Sequence, residues 1–267
     1  MLRILAALLV CLPLAAASPA SLLDILSSEL QRNFTILKEK ADPPPYYLSY
    51  TVTEEENQVI SANLGAIANQ NKSHLRYLDI TIRVGSPKLD NYHVIKGQRA
   101  RFTSGSVIPV DDVAPAIDRR IWIETDRTYR LAARRLIEIT SNQQVKVQNG
   151  DDSADFSSEP SAADQQVPPP ISQVTEEWIN RLRKWSGLLG DTPGVLNSGV
   201  GLAVQRETKY MVSTEGTRLM HGRTFVNFSI SARGKAPDGM DLSAVADFQG
   251  ADLSGLPKPD VIDAAVH

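Results

Sequence analysis

The chain has 267 residues, of which 42% are hydrophobic and 22% are charged, as in ordinary globular proteins. These proportions exclude collagen-like, coiled-coil and wholly disordered chains. The formal net charge is −3, and no strongly basic region accompanies it, so charge alone argues against nucleic-acid binding.

Residues 1–17 have the pattern of a secretory signal peptide. Arg3 supplies a positive charge, Ile4–Leu14 is almost entirely apolar, and Ala15–Ala17 offers small residues before an expected cleavage site. About eleven apolar residues are too few for a permanent membrane helix, which needs roughly 20. We therefore expect export to the periplasm or outside the cell, without stable membrane insertion. An anchor that stays attached is the alternative.

Cys11 is the single cysteine of the chain and lies inside this segment. Val10 precedes it, whereas a lipoprotein signal has a small residue there, so lipidation is not expected. The mature chain is therefore expected to have no disulfide, thiol nucleophile or thiolate metal ligand.

The first elements are a helix and several strands. Apolar residues three or four apart predict an amphipathic helix over Ser21–Lys40, with Ser21 and Asp24 as a capping box and prolines beyond it. The period then changes to two, which predicts strands. These cover Tyr46–Val52, a weaker run from Gln58 to Asn69, Leu75–Val84, and a further strand within Asn91–Phe102.

A long helix is predicted from Val113 to about Val147, with Asp111 or Asp112 as its N-cap. One apolar stripe runs along it, made of Ile117, Ile121, Thr128, Ala132, Leu136 and Ile139. The same helix carries six arginines, which are Arg119, Arg120, Arg127, Arg130, Arg134 and Arg135. We interpret them as a solvated, salt-bridged surface, and contact with an acidic partner is the alternative.

The segment 149–170 is acidic, contains three consecutive prolines and has no lysine or arginine. It cannot bury enough apolar surface to offset chain entropy, so a mobile acidic loop is expected. A calcium loop is disfavoured because the alternating oxygen ligands with a central glycine are missing.

The C-terminal part predicts a helix and a β-meander. The helix covers Gln173 to about Leu188, and Glu215-Gly216 and Asp238-Gly239 are hairpin turns. The meander has five short strands, which are Gly201–Glu207, Tyr210–Thr214, Thr217–Gly222, Thr224–Arg233 and Met240–Phe248. The whole pattern predicts an α+β fold, with a curved, mostly antiparallel sheet, two or three packed helices and a C-terminal β-meander.

No catalytic, cofactor-binding or metal-binding residue can be assigned from motifs. The histidines are scattered at His74, His93, His221 and His267, without the spacing of a zinc site. A nucleophile elbow, a phosphate-binding loop and a dinucleotide fingerprint are all missing from the sequence. A carboxylate pair for acid–base chemistry remains open but cannot be located.

Several segments resemble the N-terminal domain of the TldD/PmbA family, once named as candidate modulators of DNA gyrase and related to metallopeptidases. The similarity covers residues 18–256 as a domain of a secreted branch. It is carried by Pro43–Val52, Arg83–Gly85, Leu89–Asn91, Ile121–Tyr129, Tyr210–Thr217 and Asp238–Gly239.

This resemblance implies a peptidase assembly whose catalytic half is absent from the chain. Family members form dimers around a cavity, act on unstructured peptides and use a divalent metal, zinc being expected, in a C-terminal domain. The ligand motif of that domain has no matching positions here. Residues 257–267 are therefore expected to begin a truncated following segment.

Two functions follow as hypotheses. The first is a non-catalytic domain that shapes a peptide-holding cavity and dimer contacts, with an unstructured peptide or a family-related subunit as partner. The second is an independent periplasmic binding or adaptor protein without enzymatic activity.

Overall fold

The computed structural model describes residues 21–95, 98, 100, 105–143 and 153–266. The predicted signal peptide with Cys11, the first part of the acidic segment and His267 lie outside the described residues.

The described chain forms one open sheet of eight strands in the order β3-β2-β1-β6-β7-β5, with β4 beside β2 and β8 beside β7. All neighbours are antiparallel except β5 and β7. The α+β prediction with a C-terminal meander is confirmed. The strands are β1 Pro45–Asn63, β2 Ala66–Ser86, β3 Leu89–Asp90, β4 Ser106–Ile108, β5 Ala163–Gln165, β6 Val195–Ser213, β7 Arg218–Lys235 and β8 Asp241–Gly250.

Four α-helices accompany this sheet in the described part of the chain, namely α1 Leu22–Lys40, α2 Ala114–Gln143, α3 Glu176–Gly190 and α4 Pro259–Val266. The predicted capping box of α1 is present, because Ser21 Oγ accepts the Asp24 N–H and the Asp24 carboxylate accepts the Ser21 N–H. Helix α2 begins at Ala114, one residue after its predicted start, so Val113 rather than Asp111 or Asp112 precedes its first residue and the predicted N-cap is wrong.

The strands are longer than their patterns predicted. The weak run Gln58–Asn69 is not a separate strand, because it contains the end of β1, a turn at Leu64 and Gly65, and the start of β2. The five short strands of the meander are likewise three continuous strands. Both predicted hairpin turns are confirmed, and Gly216 and Gly239 have the positive φ angles, 90° and 88°, that favour glycine.

The helices lie on one face of the sheet, where they form two separate cores. Along β1, Leu48, Tyr50 and Val52 face the first core, and Ile60 and Ala62 face the second. All five have even numbers, so they share one face of a strand. The first core is made with α1 and α2, and the second with α3 and α4.

Both cores are built from the predicted helical stripes. The six-residue stripe of α2 is buried as predicted. Trp185 lies against Phe228 in the second core, with ring centroids 5.2 Å apart, and its indole N–H donates to Asp263 of α4. Residues 257–267 were expected to begin a following segment. In the structure they contain α4, which packs into this second core.

A core substitution tests the first of these packing layers. Leu26 of α1 is fully buried, so Leu26→Ala is expected to lower the free energy of unfolding by roughly 2–5 kcal/mol. Urea denaturation measures this loss. Ile36→Ala, on the exposed side of the same helix, is the control and should change stability by less than about 1 kcal/mol.

Candidate functional site

A band of polar side chains crosses the helix-covered face between the two cores. On β1 it comprises Glu54, Glu56 and Gln58, which continue the even-numbered face of the core residues. Their neighbours on β2 and β6 complete the polar band, which consists of Glu54, Glu56, Gln58, His74, Arg76, Arg206, Thr208 and Tyr210.

Glu54 is the centre of the polar band, with a side chain only 11% exposed. Its Oε1 lies 2.6 Å from His74 Nε2 and 3.3 Å from Arg76 Nη2, and its Oε2 accepts from the Tyr210 hydroxyl at 3.1 Å. Burial raises the pKa of this carboxyl, but the hydrogen bond with His74 and the charge and hydrogen bond of Arg76 outweigh it. The net pKa is below the usual value, so Glu54 is ionised at neutral pH.

The neighbours of Arg76 and Tyr210 keep both side chains protonated. Arg76 Nη1 donates to Asp112 at 2.6 Å, and the two carboxylates raise the arginine pKa against the effect of burial. Burial, and then the charge of Glu54, raises the pKa of Tyr210 to about 12, so its hydroxyl stays protonated and donates. The centre of the band is therefore charged but internally compensated.

The described part of the acidic segment forms a strap that leads to the polar band. We use strap for residues 153–175. Its β5 pairs with β7, and Pro168 then packs over Gly222, where an added Cβ would lie 2.8 Å from the Pro168 Cγ. Further on, the Gln58 side chain donates to the Ser172 carbonyl and accepts from the Val174 N–H, at the border of the band.

The start of the strap is anchored at the corner of β2 and β3. Asp155 accepts from the Asp90 N–H and lies 2.8 Å from His93 Nδ1. Phe156 covers the guanidinium of Arg83 at 4.5 Å. A single aromatic residue and a carboxylate thus attach a segment whose composition predicted a mobile loop.

A cleft of about 280 Å³ opens beside the polar band. It is bordered by charged and amide side chains and one apolar residue, including Glu56, Gln58, Lys72, His74, Ile171 and Gln173. It lies next to the outer edge of β2 over residues 66–75. Within the described residues no strand pairs with this edge, because β4 reaches only Arg76–Leu78 and β3 only Gly85–Ser86.

The described histidines are not brought together. His74 meets Glu54, His93 meets Asp155, and His221 lies on β7 opposite Lys209. Among the residues that the structure describes, no three histidine, cysteine, aspartate or glutamate side chains are grouped so that they could hold a metal ion.

The arrangement suits non-covalent binding. The charges of the centre compensate one another, while the cleft and the β2 edge offer amides, a lysine and backbone groups to a ligand. Motif searching misses this site because none of its residues forms a motif. The sequence feature that indicates the site is the spacing of Glu54, Glu56 and Gln58 at every second residue. This spacing places them on the same face of β1 as the apolar residues of both cores.

No family model matches the sequence, and no curated protein matches it either. Solved structures do match in fold. TldE from Thermococcus kodakarensis superposes with a TM-score of 0.52 at 12% identity, over 91% of this chain and 46% of its own. A proposed modulator of a DNA gyrase from Thermotoga maritima gives 0.51 at 10% identity, over 88% and 45%.

The resemblance in fold to TldD/PmbA-type proteins is therefore confirmed, and this chain spans just under half the length of the two matched structures. Within the described residues, no helix is both long and apolar enough to cross a bilayer.

The centre of the polar band makes a pH-dependent contribution to stability. Since the folded pKa of Glu54 lies below the ordinary glutamate value of 4.5, that contribution is present above about pH 4.5 and is lost as pH falls through the folded value. Glu54→Gln is expected to lower the free energy of unfolding by roughly 3 kcal/mol at pH 7, because Arg76 and His74 lose their shared carboxylate.

Urea denaturation from pH 7 to pH 3 measures both effects. The difference between wild type and Glu54→Gln should shrink as the pH drops below 4.5. Glu55→Gln, the next residue on the opposite face of β1, is the matched control and should leave the profile unchanged. Equal effects of the two variants would contradict a special role for Glu54.

The anchor of the strap is tested by Phe156→Ala, which removes the ring over Arg83. The strap should then detach more often, so we expect faster limited proteolysis within residues 153–175 by a broad-specificity protease. Ser157→Ala is the control. Unchanged cleavage rates, followed by mass spectrometry, would mean that the other contacts, such as β5 pairing and the Asp155 carboxylate, hold the strap without the Phe156 ring.

Proposed function

We propose that this chain is a non-catalytic domain of TldD/PmbA type that holds an extended, unstructured peptide and contributes contacts to a second, family-related subunit. It would act in the periplasm or outside the cell after export. The observation that carries this proposal is the outer edge of β2 over residues 66–75, beside the polar cleft, with which no strand of the described part of the chain pairs.

Backbone pairing is the mode of binding that this edge favours. An edge strand presents a row of N–H and C=O groups, and an extended peptide adds to it by hydrogen bonds that do not depend on sequence. Alternate side chains of such a peptide would point toward the helix-covered face and enter the cleft. Its mixed lining of Glu56, Lys72 and Gln173 suits varied polar side chains.

The opposite edge of the sheet supports the subunit contact. Among the described residues β8 pairs only with β7, and Leu242 and Val245 on it are exposed. Its sequence contains no lysine or proline, the residues that commonly protect an edge from pairing. We therefore propose β8 as the place where a second subunit adds its own strand.

The non-catalytic role is supported by the described histidines, which lie apart from one another and contact different partners. Hydrolysis in such an assembly would be supplied by another domain or subunit. The purified chain is expected not to cleave an unfolded polypeptide, with or without added Zn²⁺. Chelator-sensitive cleavage would contradict this part of the proposal.

Peptide binding is tested with a fluorescein-labelled ten-residue peptide of alternating threonine and valine, followed by fluorescence anisotropy. Two N-methylated versions, each methylated at one set of alternate residues, remove the backbone donors on one side only. One version should bind at least about tenfold more weakly and the other nearly as well as the parent, because a strand pairs through one side. Equal binding of all three would contradict backbone pairing.

The position of the peptide is tested by disulfide cross-linking in a Cys11→Ser background. Asn71→Cys on the exposed edge of β2 should cross-link to a cysteine-containing version of the peptide, whereas Ser243→Cys on β8 should not. The reverse result would move the peptide to β8 and overturn the proposed site.

The subunit contact has its own measurement. Val245→Lys places a charge on the β8 edge and should abolish concentration-dependent dimerisation in sedimentation velocity, while Val113→Lys should not. A chain that stays monomeric at all concentrations yet binds the peptide would instead act as an independent binding or adaptor protein.

A further inference from the structure

The outer surface of α2 carries an unusual stripe on an acidic protein. Its exposed members recur three or four residues apart and therefore lie on one side of the helix, opposite the buried stripe. We call them the outer stripe, which consists of Arg119, Ile123, Arg127, Arg130, Arg134 and Ile137. Trp122 lies on its flank and is 52% exposed.

The outer stripe is positively charged toward solvent. Glu124 pairs with Arg127 but is itself almost buried, and Asp126 pairs with Arg130, which remains 72% exposed. Among the described side chains, Arg119 and Arg134 have no carboxylate partner. The salt-bridged surface expected from sequence is thus only partly neutralised, although the chain as a whole has a net charge of −3.

Exposed apolar side chains lie on α2 close to these arginines. Ile137 is 62% exposed, and Ile123 and Trp122 are exposed one helical turn from Arg119. Exposed single apolar residues are common, but here Ile123 and Ile137 share one stripe with the arginines, and Trp122 lies on its flank. From Arg119 to Ile137 the stripe is roughly 27 Å long, at about 1.5 Å per residue.

We propose that the outer stripe of α2 docks the protein, lying flat, on an anionic phospholipid surface. Guanidinium groups bind phosphate in a bidentate manner, and tryptophan prefers the boundary between headgroups and acyl chains. The stripe lies on the side of α2 that faces away from the sheet, so it can meet a broad, flat partner along its whole length. The cations and the apolar side chains of the stripe match the headgroup and acyl layers of such a surface, which lie within a few ångströms of one another.

The test is flotation of the protein with vesicles of equal parts phosphatidylglycerol and phosphatidylcholine. The protein is used as the expressing cell processes it, and its N-terminus is determined by mass spectrometry. Binding to these vesicles should exceed binding to pure phosphatidylcholine and should weaken at high salt. The double variant Arg130→Glu with Arg134→Glu should bind at least roughly 30-fold more weakly, since each lost cation costs about a factor of five near an anionic surface and the added carboxylates are repelled by it.

The matched control is Arg183→Glu with Arg233→Glu, which makes the same change in net charge at exposed arginines of α3 and β7. It should bind as wild type does. A second readout is tryptophan fluorescence, which should shift to the blue on anionic vesicles. Trp122→Phe should remove that shift, because Trp185 is buried and Trp178 packs against the second core.

Several results would overturn the proposal. These are no preference for anionic vesicles, equal losses in both double variants, or a blue shift that persists in Trp122→Phe. Salt-sensitive binding to polyglutamate or duplex DNA, without vesicle binding, would assign the outer stripe to an acidic macromolecule instead. Circular dichroism of each variant distinguishes loss of binding from loss of folding.

Discussion

The structure depends on the continuous parity of β1. Its even-numbered residues face the helices from Leu48 to Ala62, so one strand serves two cores that are built by different helices. Between Val52 and Ile60 the same face of β1 is not covered by apolar side chains of either core. Glu54 occupies that region, and its ionised carboxylate is acceptable there because His74, Arg76 and Tyr210 all contact it.

This compensation also shapes the candidate site. The buried charges are satisfied by one another, so they hold the strands in register and leave ligand contacts to the rim of the cleft. There the strap, the β2 edge and the side chains of Gln58 and Gln173 meet. In the proposed function, a surface of this kind would hold an extended polypeptide through its backbone more than through any one side chain.

The strap connects distant parts of the molecule. It starts at the corner where Arg83 and Asp90 are buried under Phe156, runs beside β7, and ends at Gln58 before α3 begins. Its anchors are few and specific. Composition could not reveal them, because a segment with one aromatic residue and several aspartates has the same average character whether it is attached or free.

The sequence by itself determined the elements whose signals are local. The capping box at Ser21, the buried stripe of α2 and the turns at Gly216 and Gly239 follow from spacing and backbone preference. Tertiary structure alone decided that Glu54, Glu56 and Gln58 continue a strand, since a charged run is tolerated inside only when partners from β2 and β6 arrive at the right register. It also decided the position of the cleft and of the free edge beside it. These depend on contacts between residues more than a hundred positions apart, such as Glu54 with Tyr210, which no local pattern encodes.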